Sequence, residues 1–215
     1  MNIPDQWTFK SESVAAGFDN HVREQLPWYD LATKMVAVIA RHYISNNSVV
    51  YDIGASTGNI GKAIEQSLRH NQAKFYAIEE SQEMAAKYNG PNKLEIKNAT
   101  EYIYEPHDLS ILFLVLMFIP YSKRESFLKR IYNLLNEGGA IIIVDKIEMP
   151  YGYSGSILRK MALAWKINAG VTPEEILQKE LSLSGYQRPI NERILPGKPV
   201  RFFQSGEFVG WLIEK

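Results

Sequence analysis

The stretch YDIGASTGNIG, residues 51–61, decides the fold of this chain. Two apolar residues, Val49 and Val50, precede it, and a run with helical spacing follows it, so the sequence predicts a strand, a glycine turn and a helix. Glycines at such a turn let the backbone approach a ligand closely, and the N–H groups at the start of the helix face that ligand. The same turn also occurs for packing alone, so the motif needs support from elsewhere in the chain.

Strands and helices alternate along the sequence on both sides of this turn. The apolar patterns predict strands over 48–53, 73–78, 93–97, 108–115 and 140–144, and helices over 28–44, 59–69, 81–88, 122–135, 153–167 and 173–183. Glycines at 138 and 139 are expected to end the helix before the last of these strands. Residues 200–214 predict a closing hairpin, which would put an antiparallel strand at or near the edge of a mostly parallel sheet covered by helices on both faces.

The composition favours one globular domain and excludes several kinds of protein. The chain has 215 residues, and its 24 basic residues balance its 24 acidic ones, so nothing in the charge indicates a nucleic-acid partner. There are no cysteines, and the 4 histidines are scattered, so we expect no metal site and place the histidines at the surface or at helix ends. The most apolar run, 109–119, is too short for a membrane span of roughly 18 residues or more, so we expect a buried strand there and a cytoplasmic protein.

Two carboxylates support a nucleoside ligand at the glycine turn. Asp52 lies two residues before Gly54, and Glu79 ends the next predicted strand, where an acidic side chain can accept hydrogen bonds from ribose hydroxyls. A nicotinamide enzyme is the nearest rival. However, Gly54, Gly58 and Gly61 do not have the Gly-x-Gly-x-x-Gly spacing, and none of the 12 tyrosines has a lysine four positions later, as the short-chain dehydrogenases would have.

The pattern Asp-x-Gly-x-x-x-Gly at 52–58 resembles motif I of the class I S-adenosylmethionine (SAM) methyltransferases. Glu79, Asn98 and the Gly138-Gly139 turn stand where that family has its ribose-binding acid, the polar residue beside the adenine and the turn before strand five. The resemblance implies SAM as the cofactor. It also implies a Rossmann-like α/β fold with a mostly parallel seven-stranded sheet, an antiparallel C-terminal hairpin and helices on both faces.

Further segments resemble the carboxy-S-adenosyl-L-methionine (carboxy-SAM) synthases across nearly the whole chain. They are QWTF, QLPWYD, VVYDIGASTG, AIEES, RIYNLLNEGGAIIIVDK, EEILQKE and RFFQSGEFVGWLIEK. Members of that family make carboxy-SAM from SAM and prephenate for a later modification of a tRNA wobble uridine, and the resemblance suggests a homodimer. It implies cofactor contacts at Tyr29, Asp52, Gly54, Ala55, Ser56, Gly58, Glu79, Glu80, Asn98, Ala99 and Phe113.

Three positions depart from the family pattern. Asn98 replaces an aspartate, Phe113 replaces an asparagine, and Glu180 replaces an arginine that would pair with the added carboxylate of carboxy-SAM. A carboxylate in place of that arginine turns attraction into repulsion unless Lys179 or Arg188 takes over the role. The primary hypothesis is therefore methyl transfer from SAM to an unidentified acceptor. Carboxy-SAM synthesis and a non-catalytic SAM-binding role are the alternatives.

The chain divides by function into four predicted parts of one domain. These are an N-terminal helical cap at 1–47, the SAM-binding core at 48–147, helices and a loop for the acceptor at 148–199, and the closing hairpin at 200–215. Candidate acceptor-lining residues are Tyr151, Tyr153, Trp165 and Lys166. Four basic residues of one predicted helix, Lys123, Arg124, Lys129 and Arg130, are expected to form a solvated face.

Overall fold

A seven-stranded sheet forms the centre of the computed structural model, which describes residues 3–149 and 151–215. Its strands are β1 (Val49–Ile53), β2 (Lys74–Glu79), β3 (Leu94–Ile96), β4 (His107–Phe113), β5 (Leu135–Lys146), β6 (Val200–Ser205) and β7 (Phe208–Glu214). Their order is β3-β2-β1-β4-β5-β7-β6, and the first five in this order are parallel to one another. Strand β7 runs antiparallel to both β5 and β6, so the predicted mostly parallel sheet with a closing hairpin is confirmed.

Helices cover both faces of this sheet. They are α1 (Glu12–Gln25), α2 (Tyr29–Ala40), α3 (Asn59–His70), α4 (Gln82–Ala85), α5 (Tyr121–Asn133), α6 (Tyr153–Asn168) and α7 (Pro173–Ser182). The neighbouring β5 residues Ile141 and Ile142 point to opposite faces because side chains alternate along a strand. Ile142 belongs to the cluster that includes α2 and α3, whereas Ile141 belongs to the cluster that includes α5. No helix in the two described ranges has the length and apolarity that crossing a membrane requires.

The turn between β1 and α3 requires glycine at two positions, because of the backbone angles there and because of the space available. Gly54 and Gly58 both have positive φ angles, +73° and +92°, which side chains of L residues rarely adopt. A Cβ atom at Gly54 would lie 2.6 Å from Val115 Cγ2, and one at Gly58 would lie 2.6 Å from the backbone nitrogen of Gly90. The turn therefore brings the backbone against two other segments, and no larger residue fits there without displacement.

Two predictions of local structure were wrong. The apolar run 109–119 does not continue as a strand, because β4 ends at Phe113, Leu114 has a φ of +62°, and a short 3₁₀ helix spans Leu116–Phe118. The physical cause is Asp145, whose carboxylate accepts hydrogen bonds from the N–H groups of Val115 and Leu116, at 3.1 and 2.6 Å. Residues 135–139 extend strand β5 instead of ending a helix, since helix α5 is already complete at Asn133.

The prediction of a solvated basic face on α5 is wrong at one residue. Arg124 is only 2% exposed, and it donates hydrogen bonds to the carbonyl oxygens of Ile119, Met117 and Pro189, at 2.8, 3.1 and 3.1 Å. The other three basic residues of this helix, Lys123, Lys129 and Arg130, are exposed as expected. Arg124 thus fastens the segment after β4 to the loop before the last hairpin.

The surface placement of the histidines is also only partly correct. His42 and His70 are exposed, but His21 and His107 are buried. Both nitrogens of the His107 ring are engaged, one with the Ser110 hydroxyl at 2.8 Å and one with the Glu105 carbonyl at 2.9 Å. His107 therefore belongs to the core.

Replacing Arg124 with methionine should lower the free energy of unfolding by about 2 to 4 kcal/mol, because buried carbonyl groups lose their donor. Urea denaturation followed by circular dichroism measures this loss. Lys123→Met on the same helix is the matched control and should change stability by less than about 0.5 kcal/mol. Equal effects of the two substitutions would show that Arg124 contributes no more than a surface residue.

Candidate functional site

The carboxyl ends of β1, β2 and β4 open into a cavity of about 410 Å³. It lies where the chain crosses from one half of the sheet to the other, between the neighbouring strands β1 and β4. Open α/β sheets bind their ligands at such a switch point, beyond the carboxyl ends of the strands. Helix α1 and the segment before it form the opposite wall, with Trp7 and Phe9 among the lining residues.

The structure brings ten of the eleven predicted contact residues to the wall of this cavity. They are Tyr29, Asp52, Gly54, Ala55, Ser56, Glu79, Glu80, Asn98, Ala99 and Phe113. Gly58 is not part of the wall. It precedes α3, and its N–H donates to the Ala55 carbonyl at 2.8 Å, so its role is to shape the turn.

Glu79 joins the loops that follow β1 and β2. One carboxylate oxygen accepts the N–H of Ser56 at 3.0 Å, and the other accepts the N–H groups of Glu80 and Ser81, both at 2.9 Å. Burial raises the pKa of Glu79, while these three backbone donors oppose the shift. Because a carboxylate has about four acceptor positions, three backbone donors leave room for roughly one further hydrogen bond.

Asp52 is a buried carboxylate with an unused oxygen. It is 1% exposed, and burial raises its pKa to about 7, opposed by the N–H of Gly61 and reinforced by the charge of Glu79. Its Oδ2 atom and the Ser56 hydroxyl have no hydrogen-bond partner among the described residues. Buried polar atoms are nearly always paired, so these two atoms on one cavity wall are positions that water or a polar ligand can complete.

Asn98, the residue predicted beside the adenine, belongs to a connected polar group. Asn98 donates to the Glu80 carboxylate, and its Oδ1 atom accepts from the backbone and the hydroxyl of Thr100, at 2.9 and 2.7 Å. Its orientation is therefore fixed without a ligand.

Tyr29 and Phe113 form an aromatic part of the wall. Their rings meet edge to face at 5.3 Å, and burial raises the pKa of Tyr29 to about 12. The Tyr29 hydroxyl consequently stays protonated at neutral pH and can serve there as a hydrogen-bonding group but not as a base.

A second set of polar residues lines the end of the cavity formed by α1, α6, α7 and the N-terminal segment. Trp7 Nε1, His21 Nε2 and Gln25 Oε1 are buried and lack partners within the described residues. The sequence reasoning named none of these three as site residues. Trp7 lies in the QWTF segment, which carried part of the family resemblance, and this was the only available signal for any of them.

Two lysine–glutamate ion pairs lie at this second end of the cavity. Glu180 accepts from Lys166 Nζ at 3.4 Å, and Glu207 pairs with Lys146 Nζ at 3.0 Å. Burial raises the pKa of Glu180, but Lys146 and Lys166 outweigh it, so the net shift is downward and the carboxylate is charged. Lys179 Nζ lies over the indole ring of Trp7.

Of the two cations considered as replacements for the missing arginine, only Lys179 lines the cavity. Arg188 stacks instead on the ring of Tyr121, 4.0 Å from its centroid, and lies outside the wall.

The predicted acceptor residues are mostly misplaced. Lys166 lines the cavity, whereas Tyr151 and Tyr153 are exposed to solvent, and Trp165, 40% exposed, is not part of the wall. The sequence pattern could not distinguish the inner from the outer face of α6, because apolar residues lie on both. In the described ranges no group of three or more histidine and acidic side chains is placed to hold a metal ion.

Solved structures share the fold at low sequence identity. Human N-acetylserotonin methyltransferase in complex with SAM aligns with a TM-score of 0.60 and 14% identity, covering 96% of this chain and 57% of that one. The plantazolicin methyltransferase BpumL in complex with S-adenosylhomocysteine aligns with a TM-score of 0.55 and 14% identity, covering 79% of this chain and 62% of that one. These similarities show the Rossmann-like methyltransferase fold, with seven strands as expected.

Relatives of known name align over most or all of the chain, although no protein-family profile matches it. The carboxy-S-adenosyl-L-methionine synthase of Salmonella paratyphi C is 27% identical over 186 residues, covering 82% of this chain and 75% of that protein. The enzyme of the same name from Staphylococcus epidermidis is 33% identical over an alignment of 227 positions, which covers 99% of this chain and 98% of that protein. This chain therefore belongs to the carboxy-S-adenosyl-L-methionine synthase family.

Proposed function

We propose that this protein is a SAM-dependent methyltransferase that transfers a methyl group from SAM to an acceptor that is not yet identified. The observation that carries the proposal is the Glu180–Lys166 ion pair on the cavity wall. Glu180 stands where the family resemblance implies an arginine for the carboxylate of carboxy-SAM. Its charge and that of Lys166 offset each other, which leaves no net attraction at that point for a carboxylated ligand.

The residues at the strand ends fit SAM by their chemistry. Glu79 has room for about one further hydrogen bond, as a ribose hydroxyl requires, and Asp52 Oδ2 and Ser56 Oγ are unpaired beside it. Asp52 and Glu79 also supply negative charge for a ligand that carries a positive sulfonium. SAM would supply an electrophilic methyl group, so the chain need only hold the acceptor in line and exclude water.

The N-terminal segment covers part of the cavity, as the exclusion of water requires. The backbone N–H of Trp7 donates to the Ser182 carbonyl at 2.8 Å, and the Ser81 hydroxyl donates to the Phe9 carbonyl at 2.7 Å. The Phe9 ring packs edge to face on Phe118, 5.0 Å between centroids. Residues before α1 are thus bonded to both α7 and the start of α4, and they close the side of the cavity opposite the strand ends.

The second candidate function is carboxy-SAM synthesis, which would belong to the tRNA wobble-uridine pathway. Lys179 favours it, because this lysine lines the same end of the cavity and forms no ion pair within the described residues. If it were protonated, it would provide the positive charge that Glu180 does not. The family relationship also supports this candidate.

Calorimetry and product analysis separate the two candidates. We expect the protein to bind SAM and S-adenosylhomocysteine, and to produce no carboxy-SAM when it is incubated with SAM and prephenate and the products are examined by mass spectrometry. Failure to bind either sulfur ligand would exclude both functions. Clear formation of carboxy-SAM would establish the second candidate in place of the first.

Glu180→Arg should raise the affinity for carboxy-SAM by about tenfold or more, because a charge-assisted hydrogen bond replaces repulsion, each such contact contributing about 1.5 to 3 kcal/mol. Glu180→Gln is the matched control, since it removes the negative charge without adding a cation, and it should give a smaller gain. An unchanged affinity in Glu180→Arg would mean that residue 180 does not face the ligand.

The affinity for SAM should depend on pH through Asp52. The raised pKa means that the folded protein holds a proton there up to about pH 7, so its stability falls as the pH rises from about 4 through 7. A cationic ligand binds better to the ionised carboxylate, so SAM affinity should rise between pH 6 and 8, by at most about tenfold per unit below pH 7.

Calorimetry across this pH range measures the dependence on Asp52. Asp52→Asn should flatten it, and S-adenosylhomocysteine, which lacks the sulfonium charge, should show less of it with the native protein. A wild-type profile that matches the profile of the Asp52→Asn variant would rule out a role for this carboxylate.

We also propose a cytoplasmic location and a homodimer. Exposed apolar side chains on α6 and α7, including Ile167, Leu177 and Leu181, support self-association, because solvated helix faces rarely expose several large apolar groups together. Light scattering should give twice the mass of 24.6 kDa, and a monomer at micromolar concentration would contradict the proposal.

A further inference from the structure

Lys179 on α7 is a buried lysine whose amine has no acidic partner among the described residues. It is 9% exposed and belongs to the cavity wall, and its Nζ atom lies against the indole ring of Trp7. Within residues 3–149 and 151–215 this atom forms neither a hydrogen bond nor an ion pair. Burial of an ammonium group without a carboxylate costs several kcal/mol, so the uncharged amine is favoured unless an anion binds beside it.

The charged groups around Lys179 also favour the neutral amine. Lys166 of α6 faces it with a like charge, and the neighbouring Glu180 is already paired with Lys166. Burial lowers the pKa of Lys179 to about 6, reinforced by Lys166 and opposed by Glu180. His21 of α1 adds no charge at neutral pH, since burial and Lys179 lower its pKa to about 4.

The remaining acid on this side does not neutralise Lys179 either. Glu175 of α7 forms the capping box with Thr172, accepting from its backbone N–H at 3.0 Å and from its hydroxyl at 3.2 Å. It is exposed to solvent, so its charge is screened. The Lys179 amine is thus mostly uncharged at neutral pH, and on the cavity wall its nitrogen forms no hydrogen bond within the described residues.

We propose that Lys179 is a nucleophilic amine that forms an imine with a carbonyl compound, an aldehyde or an α-keto acid, bound at the α1–α7 end of the cavity. A lysine desolvated in an apolar pocket beside a second cation is a recognised way to activate this side chain. The Nζ lone pair forms the bond to the carbonyl carbon, and the carbonyl oxygen leaves as water with the two amine hydrogens. Addition of water reverses the step and restores the amine.

The surroundings of Lys179 suit such a ligand. The indole N–H of Trp7, which is unpaired among the described residues, is a donor for a carbonyl or carboxylate oxygen, and the unpaired Gln25 Oε1 is an acceptor for a hydroxyl. The rings of Phe9, Phe118 and Tyr186 give the same cavity an apolar side. The inference goes beyond methyl transfer, because imine formation needs no SAM.

Reductive trapping tests the proposal with the full-length protein. The protein is incubated at pH 7 with pyruvate or with butanal in the presence of cyanoborohydride, and the modified lysines are located by peptide mass spectrometry. We expect Lys179 to be modified at least about tenfold faster than the exposed Lys160 of α6, because the lowered pKa of Lys179, about 6, leaves its amine mostly uncharged at pH 7.

Two variants and a pH series complete this test. Lys166→Met removes the neighbouring charge and should slow trapping at Lys179 severalfold at pH 7, whereas Lys160→Met on the same helix should leave the rate unchanged. The rate at Lys179 should reach half its maximum near pH 6. Trapping no faster than at Lys160, or a midpoint above about pH 9, where ordinary lysines begin to titrate, would overturn the proposal even if Lys179→Arg failed to fold.

Calorimetry with S-adenosylhomocysteine on the same preparation keeps the two proposals separate. If S-adenosylhomocysteine binds but Lys179 is not trapped, the imine proposal is wrong and the methyl-transfer proposal is unaffected. If Lys179 is trapped but S-adenosylhomocysteine does not bind, the methyl-transfer proposal is wrong and the imine proposal is unaffected.

Discussion

The carboxylate of Asp145 determines the shape of the functional end of this molecule. It accepts hydrogen bonds from three successive backbone N–H groups, those of Val115, Leu116 and Met117, and also from its neighbour Lys146. These bonds turn the chain away from β4 after Phe113. The guanidinium of Arg124 holds the carbonyl groups of Met117 and Ile119 from the other side. A segment that the apolar pattern alone would extend as a strand becomes one wall of the cavity.

The sequence was sufficient for the fold because the fold depends on local, periodic signals. Buried strands gave continuous apolar runs, and the glycine turn at 54–58 combined two positive φ angles with two close backbone approaches that exclude other residues. The same reasoning failed at Leu114–Phe118 and at Arg124. The first depends on the buried carboxylate of Asp145 and the second on the buried guanidinium of Arg124. Each binds backbone groups outside its own strand or helix, and no periodicity reports such a partner.

The residues at one end of the cavity could be predicted from the sequence, whereas most of those at the other end could not. Asp52, Ser56 and Glu79 follow consecutive strands, so the geometry of a parallel sheet brings them together. The other end combines Trp7, His21, Lys166 and Lys179 from four segments, and nothing in their spacing relates them. Tyr151 and Tyr153 were placed there by sequence position alone, but the structure puts them in solvent.

Glu79 contributes to the fold and to the proposed cofactor site with the same two oxygens. Its three backbone partners hold the Ser56 and Ser81 loops in place before any ligand arrives, which removes much of the ordering cost of binding. The N-terminal segment does not hold the cofactor site open in this way but lies across the cavity. There the backbone of Trp7 is bonded to Ser182, and the backbone of Phe9 is bonded to Ser81. Any widening of the cavity on this side requires these two bonds to open, so the segment that precedes α1 sets how far solvent reaches the ligand from this side, while the strand ends hold the ligand.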